Sequence, residues 1–208
     1  LPCGTSSLAG TTVGSVSETS PSTCVGSYGV WYTFAGDGQS TTISVYSATD
    51  IGVYIGYGNC TSRTQVACAD SYIGGNTESA TFVSTIGQTY YVYVAYYGSG
   101  TTTGTFTISR SCVVIPSNND CVNATTLSVQ CPTSTTNTNG TTIGATEDAI
   151  ADPTCDAGTI QDVWYSFNTG NNTQIDITVT LGTASWIGGQ LFSSCGTCLL
   201  YTSPSPRD

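Results

Sequence analysis

The chain has 208 residues, enough for one large domain or two ordinary ones, and its formal net charge is −10. Its three basic residues are all arginines, Arg63, Arg110 and Arg207, and it contains no histidine. These features argue against nucleic acid and anionic membranes as partners, because binding to phosphates needs clustered cations. They also exclude catalytic sites built on His or Lys. Paired carboxylates are the catalytic arrangement left open, and we expect no enzyme activity.

Ten cysteines in a weakly charged chain rich in Ser and Thr indicate an oxidising compartment and a disulfide framework. Cys195 and Cys198 have C-x-x-C spacing, but no second pair of this kind could complete four thiolate ligands. We therefore expect no metal site and no cofactor. The sequence has no apolar run long enough for a membrane span, so we also expect no membrane insertion.

Alternating apolar and polar residues predict short strands along the first 112 residues, and no stretch has helical periodicity. About eight strands separated by turn residues predict an all-β fold, a two-sheet antiparallel β-sandwich of jelly-roll type. The predicted strands span 11–17, 30–34, 42–47, 51–57, 64–69, 78–84, 89–97 and 103–111.

One motif occurs twice. Val30–Phe34 reads VWYTF and Val163–Phe167 reads VWYSF, and the flanking Thr11–Gly14 is echoed by Thr141–Gly144. The spacing indicates tandem copies of one unit of about 130 residues. Bulky residues on both faces predict a central strand covered on both sides, and a sugar-binding aromatic platform is the alternative. The predicted core residues of the motif are Trp31, Tyr32, Phe34, Trp164, Tyr165 and Phe167.

The repeat divides the chain into tandem domains. We predict that residues 1–112 form a first unit lacking its opening segment, that 113–119 form an extended linker around Pro116, and that 120–200 form a second, incomplete unit. The strands predicted in the second unit span 141–146, 162–167, 174–180 and 186–192. Residues 201–208 do not continue the pattern; they resemble a translated sequencing-adaptor read-through and are predicted to be non-biological.

Three disulfides are proposed, Cys60–Cys68, Cys121–Cys155 and Cys3–Cys112, although connectivity does not follow from sequence. The local pair Cys60–Cys68 is the favoured one, because it would close a hairpin. The last pair would join the two ends of the first unit.

Two further sets of residues are candidates for surface functions. Tyr91, Tyr93 and Tyr97 share one face of a strand and form a candidate interface, and packing under a loop is the alternative. Four N-x-S/T sequons make Asn59, Asn123, Asn139 and Asn171 candidates for glycosylation.

A further set of short motifs points to a known family: Asn119–Cys121 with Ala124 and Leu127, Gly144–Thr146, Asp162–Phe167, Cys60 with Cys68–Asp70, and Tyr90–Val94. With these motifs the chain resembles the cysteine-rich tandem repeats of large secreted and cell-surface bacterial proteins of Bacteroidota type, which are similar to bacterial pre-peptidase C-terminal domains. The resemblance implies a non-catalytic jelly-roll module used as a spacer, adhesin or fibre subunit.

Two functions follow as hypotheses. The favoured one is a structural repeat subunit of an extracellular fibre, filament or cell-surface array, in which incomplete sandwich ends self-associate into a linear assembly. The alternative is a carbohydrate-binding or adhesive module of a secreted multidomain protein, with glycans as partners. Either function predicts a protein that is extracellular or on the cell surface.

Overall fold

The computed structural model of the protein describes residues 1–59, 62–97, 103–129, 137–147, 161–195 and 197–202. The chain divides into two compact units, Leu1–Val114 and Ile115–Asp208. The predicted all-β class is confirmed, since the described residues form strands and one short 3-10 turn, η1, at Cys121–Asn123. No helix in the described part of the chain is long and apolar enough to cross a membrane.

The described residues of the first unit form eight strands in two four-stranded sheets. Its strands are β1 (Thr5–Thr11), β2 (Gly29–Ala35), β3 (Ser40–Tyr46), β4 (Ile51–Gly58), β5 (Arg63–Ala69), β6 (Thr77–Val83), β7 (Thr89–Tyr96) and β8 (Thr105–Val113).

The two sheets have the orders β1-β8-β3-β6 and β2-β7-β4-β5, and every neighbouring pair is antiparallel. Most connections cross from one sheet to the other, and these two orders describe an eight-stranded jelly roll. The architecture expected from the strand pattern is therefore present in the first unit.

The core lies between the sheets and follows from the period of two along each strand. In β3, Ile43 and Val45 point inward and are fully buried, whereas Thr42 faces outward and its hydroxyl lies 2.8 Å from that of Thr81. The buried core residues from both sheets are Phe34, Ile43, Val45, Ile51, Val53, Ile55, Ala69, Ala80, Tyr90, Val92, Val94, Tyr96, Phe106 and Ile108.

Two predictions for the start of the first unit are wrong in detail. The first strand spans Thr5–Thr11 and not 11–17, because pairing with β8 ends there and the N–H of Ser15 then bonds to the carbonyl of Thr12 in a turn. The VWYTF strand, β2, lies at the edge of its sheet and not in the centre. It nevertheless has both faces partly covered, since the loop before it packs on one face.

The second unit has fewer strands in its described part than the sequence predicts. They form a parallel pair, β9 (Thr125–Thr126) with β10 (Tyr165–Ser166), and an antiparallel pair, β11 (Gln190–Ser194) with β12 (Thr197–Thr202).

The strand predictions for the second unit are only partly correct. Of 162–167 only Tyr165–Ser166 is a strand, of 186–192 only the part from Gln190, and 174–180 is not a strand. Residues 141–146 form a turn because the N–H of Ala145 bonds to the carbonyl of Thr142 and Gly144 has φ 82°.

Candidate functional site

The described part of the second unit contains a groove of about 430 Å³. Small-ligand sites have volumes of about 300–1,000 Å³, so this groove is of suitable size. It is lined by Pro116, Ser117, Asn118, Thr125, Thr138, Asn139, Gly140, Thr141 and Tyr165.

The wall of the groove is built by hydrogen bonds to the VWYSF strand. The N–H of Trp164 donates to the carbonyl of Asn118 at 2.8 Å, and the side-chain amide of Asn118 donates back to the carbonyl of Trp164 at 2.9 Å. The carbonyl of Trp164 also accepts the N–H of Thr125 at 3.0 Å, and the carbonyl of Ser166 accepts the N–H of Leu127 at 2.7 Å. These bonds fix the backbone on both sides of Tyr165.

Asn119 anchors the adjoining turn. Its side-chain oxygen accepts the N–H of Thr146 at 2.7 Å, and its side-chain nitrogen donates to the hydroxyl of Thr146 at 2.9 Å. Asn118 and Asn119 are buried, with 9% and 7% of their surface exposed. Both lie in the segment 113–119, which the sequence predicts to be an extended linker. A buried amide needs hydrogen-bond partners, and those partners lie too far along the chain to be recognised from sequence.

Tyr165 supplies the aromatic surface of the groove. The ring is half-buried, and its hydroxyl lies against Gly140, where a Cβ atom would collide with it. No other aromatic ring contacts Tyr165 in the described part of the unit, whereas the neighbouring Trp164 packs on Phe192 with ring centroids 5.3 Å apart. The ring of Trp164 therefore packs on Phe192, whereas the ring of the next residue, Tyr165, lies in the groove.

The groove is electrically neutral. Its described lining offers hydroxyls, amides, backbone groups and one phenol, but no carboxylate and no cation. An anionic ligand would find no charge partner there, in a chain of net charge −10. A neutral ligand with several hydroxyl groups matches this lining.

The corresponding aromatic residues of the first unit are packed, not open. Trp31 lies on the outer face of its sheet, 4.6 Å from the ring of Tyr93, and its indole N–H donates to the carboxylate of Glu18 at 2.8 Å. The guanidinium of Arg63 lies over the ring of Trp31, 4.3 Å from its centroid. On the opposite face of β2, Phe34 is buried in the core.

The candidate interface of three tyrosines is not a continuous exposed patch. Tyr93 is fully buried beneath Trp31 and the loop that carries Val25, and this burial together with the charge of Glu18 raises the pKa of Tyr93 to about 12. Tyr91 is half-buried and Tyr97 is 49% exposed. The alternative prediction, that this face packs under a loop, holds for Tyr93.

Three disulfides join cysteines in the described part of the chain. One joins Cys3 to Cys112, the pair proposed from the sequence for the ends of the first unit. The two other proposed pairs are wrong: Cys68 is bonded to Cys24 and not to Cys60, and Cys121 is bonded to Cys195 and not to Cys155.

Sheet geometry explains the first of these corrections. Cys68 in β5 stands opposite Tyr54 on the outer face of the sheet, and the loop containing Cys24 crosses that same face. For the second, Cys195 directly follows β11, 5.7 Å from Cys121 between Cα atoms. The side chains of Cys60 and Cys155 lie outside the described residues.

The remaining candidates occupy the surface. Asn59, Asn123, Asn139 and Asn171 are all exposed, and Asn139 lies in the lining of the groove. The cluster of potential metal ligands found in the described residues is Cys3, Cys112 and Asp37. Because the two sulfurs form a disulfide, they are not available as thiolate ligands.

Comparisons with known proteins bear on the second unit. Residues 117–203 match a family model described as galactose binding domain-like, whose name associates it with T9SS, the type IX secretion system of Bacteroidota. No curated protein matches the chain. The matched region contains Tyr165 and all other groove residues except Pro116, and it is compatible with the Bacteroidota-type β-sandwich module that the sequence resembles.

Proposed function

We propose that the chain is a non-catalytic, carbohydrate-binding module of a secreted or cell-surface protein, and that the groove of the second unit binds a neutral saccharide. The observation that carries the proposal is the composition of the groove: one aromatic ring and a set of hydroxyl and amide groups, with no charge in the described lining. The match of this region to a galactose-binding-domain-like family supports the same ligand class.

Each part of the groove has a role in this proposal. The ring of Tyr165 packs against the C–H face of a pyranose, which removes apolar surface of both partners from water. The hydroxyls of Thr138 and Thr141 and the side-chain amide of Asn139 bond to sugar hydroxyls. Asn118 holds the strand beneath the ring in place through its bonds to Trp164.

The fibre function favoured by the sequence has no comparable support. It predicts association through incomplete sandwich ends, and the family match refers to a ligand-binding type of module. Carbohydrate binding is therefore the favoured function, and self-association into a linear fibre stays a prediction. Disulfides in both units and the T9SS-associated match support an extracellular location.

Titration calorimetry of the full chain with galactose, glucose, N-acetylgalactosamine and galacturonic acid tests the proposal. We expect saturable binding of a neutral sugar with a Kd on the order of 1 mM, and no binding of the uronic acid. Tyr165→Ala should abolish binding, whereas Tyr72→Ala, which removes an exposed tyrosine of the first unit, should leave it unchanged. A panel without any binder, or equal binding by the Tyr165→Ala protein, would contradict the proposal.

A further inference from the structure

One disulfide of the first unit has a carboxylate beside it. The sulfurs of Cys3 and Cys112 and a carboxylate oxygen of Asp37 all lie within 4.8 Å of one another. Among the described residues, neither of the other two disulfides has an acidic side chain this close to both of its sulfurs. The arrangement is therefore particular to the disulfide that joins the start of the first unit to β8.

Hydrogen bonds hold the Asp37 carboxylate in this position, in the turn between β2 and β3. Its Oδ1 atom accepts the N–H of Gln39 at 3.1 Å and the hydroxyl of Ser84 at 3.0 Å. Its Oδ2 atom accepts a guanidinium N–H of Arg110 at 2.9 Å. Because both oxygens are bonded from different directions, the carboxylate is fixed next to the disulfide.

The two charges of this ion pair differ in their access to solvent. The Arg110 side chain is 4% exposed and lies over the ring of Phe34, whereas the Asp37 side chain is 30% exposed. Cys3 is exposed and Cys112 is half-buried. A small reagent that comes from solvent to the sulfur of Cys3 therefore meets the negative charge, with the positive charge buried behind it.

The charge matters because thiolates are the species that open disulfides. A thiolate attacks the exposed sulfur of Cys3 and forms a mixed disulfide with it. The electron pair of the broken S–S bond leaves on the sulfur of Cys112, which then takes up a proton. A second thiolate attacks the mixed disulfide and releases Cys3, so that two thiols are oxidised to one small disulfide for each protein disulfide reduced.

We propose that Asp37 shields the Cys3–Cys112 disulfide from negatively charged thiolates, and that this disulfide is a redox-sensitive clasp which neutral thiolates open in preference to anionic ones. The carboxylate repels an anionic thiolate as it approaches Cys3. Opening the clasp separates the segment before β1 from the last strand of the unit. The proposal concerns the first unit alone and does not depend on saccharide binding in the second.

The test compares two small thiols on the full native chain at low salt. The reactive form of glutathione carries a net negative charge, whereas that of cysteamine, with its ammonium group, is neutral overall. At equal thiolate concentration, we expect glutathione to reduce Cys3–Cys112 about tenfold more slowly than cysteamine does. For Cys121–Cys195 the two rates should agree within about twofold, and added salt should narrow the difference at Cys3–Cys112. Alkylation of the released thiols followed by peptide mapping measures each disulfide separately.

Three variants separate the charge of Asp37 from its part in the fold. Asp37→Asn should accelerate reduction of Cys3–Cys112 by glutathione about tenfold and should remove the preference for cysteamine, because the charge of Arg110 is then unopposed. Ser84→Ala loosens the same turn but keeps the carboxylate, so it should preserve the preference. Asp176→Asn removes an equal charge from an exposed position of the second unit and should change neither rate.

The ratio of the two rates decides the outcome. An Asp37→Asn protein in which both thiols react faster by the same factor would show that Asp37 acts only through stability, and would overturn the proposal. A wild-type ratio at Cys3–Cys112 equal to that at Cys121–Cys195 would overturn it as well. So would a Cys3–Cys112 disulfide that neither thiol reduces in the native protein, because a clasp requires an accessible sulfur.

Discussion

Arg110 and Asp37 form an ion pair at one end of the first unit's core, with 2.9 Å between guanidinium nitrogen and carboxylate oxygen. The Arg110 side chain is only 4% exposed, and its guanidinium also covers the ring of Phe34 at 4.2 Å. It donates to the carbonyl of Leu1 at 3.2 Å as well. A single buried cation thus holds together the first residue of the unit, a turn and the last strand.

Asp37→Asn should destabilise the first unit by roughly 2 kcal/mol, because it leaves the buried Arg110 without a counter-charge. The expected loss of stability is smaller than for a fully buried ion pair, because the Asp37 side chain is 30% exposed. Hydrogen exchange of the β3 and β8 amides in the full chain measures the loss. Unchanged protection of these strands would contradict a stabilising role for the pair.

The cost of Asp37→Asn should depend on pH. Burial alone would raise the pKa of Asp37, but hydrogen bonds from Gln39 and Ser84 and the charge of Arg110 together lower it below its usual value. The stabilisation from the ionised carboxylate is therefore present above the unfolded pKa of about 3.9 and is lost as pH falls through the lower folded pKa. Wild type and variant should converge in stability at the acid end of a pH series.

Asp70→Asn should stabilise the first unit, whereas Asp37→Asn should destabilise it. Burial and the nearby charges of Asp50 and Glu78 raise the pKa of Asp70, so its ionised form is disfavoured in the folded protein. The carboxylate therefore destabilises the fold at neutral pH, and this effect disappears as pH falls below the unfolded pKa. We expect the variant to be more stable by about 0.5 kcal/mol at pH 7 and equal to wild type near pH 3. Lower stability at neutral pH would argue against this account.

The Cys24–Cys68 disulfide fastens the loop before β2 over the outer face of the sheet. Peptide mapping under non-reducing conditions should recover this pair and not Cys60–Cys68. Replacing both cysteines with alanine should cost about 2–4 kcal/mol and make Trp31 accessible to a fluorescence quencher. Recovery of a Cys60–Cys68 peptide from the native protein would contradict the pairing.

Trp31→Phe should destabilise the first unit by about 1–2 kcal/mol, because Glu18 loses the indole donor and Arg63 stacks on a weaker ring. Glu18→Gln should cost less, since the amide oxygen can still accept the hydrogen bond. Chemical denaturation of the two variants gives the comparison. Trp186→Phe, in the second unit, is the control for the loss of a tryptophan, and equal effects of the two Trp replacements would rule out the specific role of Trp31.

The sequence alone determined the fold class and most strands of the first unit. Alternation requires that every second side chain face the core, and this condition placed β3 to β8 within about two residues of where they lie. The sequence also revealed the repeat, because VWYTF recurs as VWYSF with matching flanks.

Tertiary structure decided everything that depends on which segments meet. Alternation does not say which loop crosses the outer face of a sheet, so Cys24 as the partner of Cys68 could not be predicted, nor could the burial of Tyr93. The two copies of the motif, which differ only at Thr33 and Ser166, also had different surroundings: the ring of Tyr32 meets β8, whereas the ring of Tyr165 lines a groove. The residue type determines which interactions a side chain can make. The segments that pack around that side chain determine whether it belongs to the core or to a binding surface.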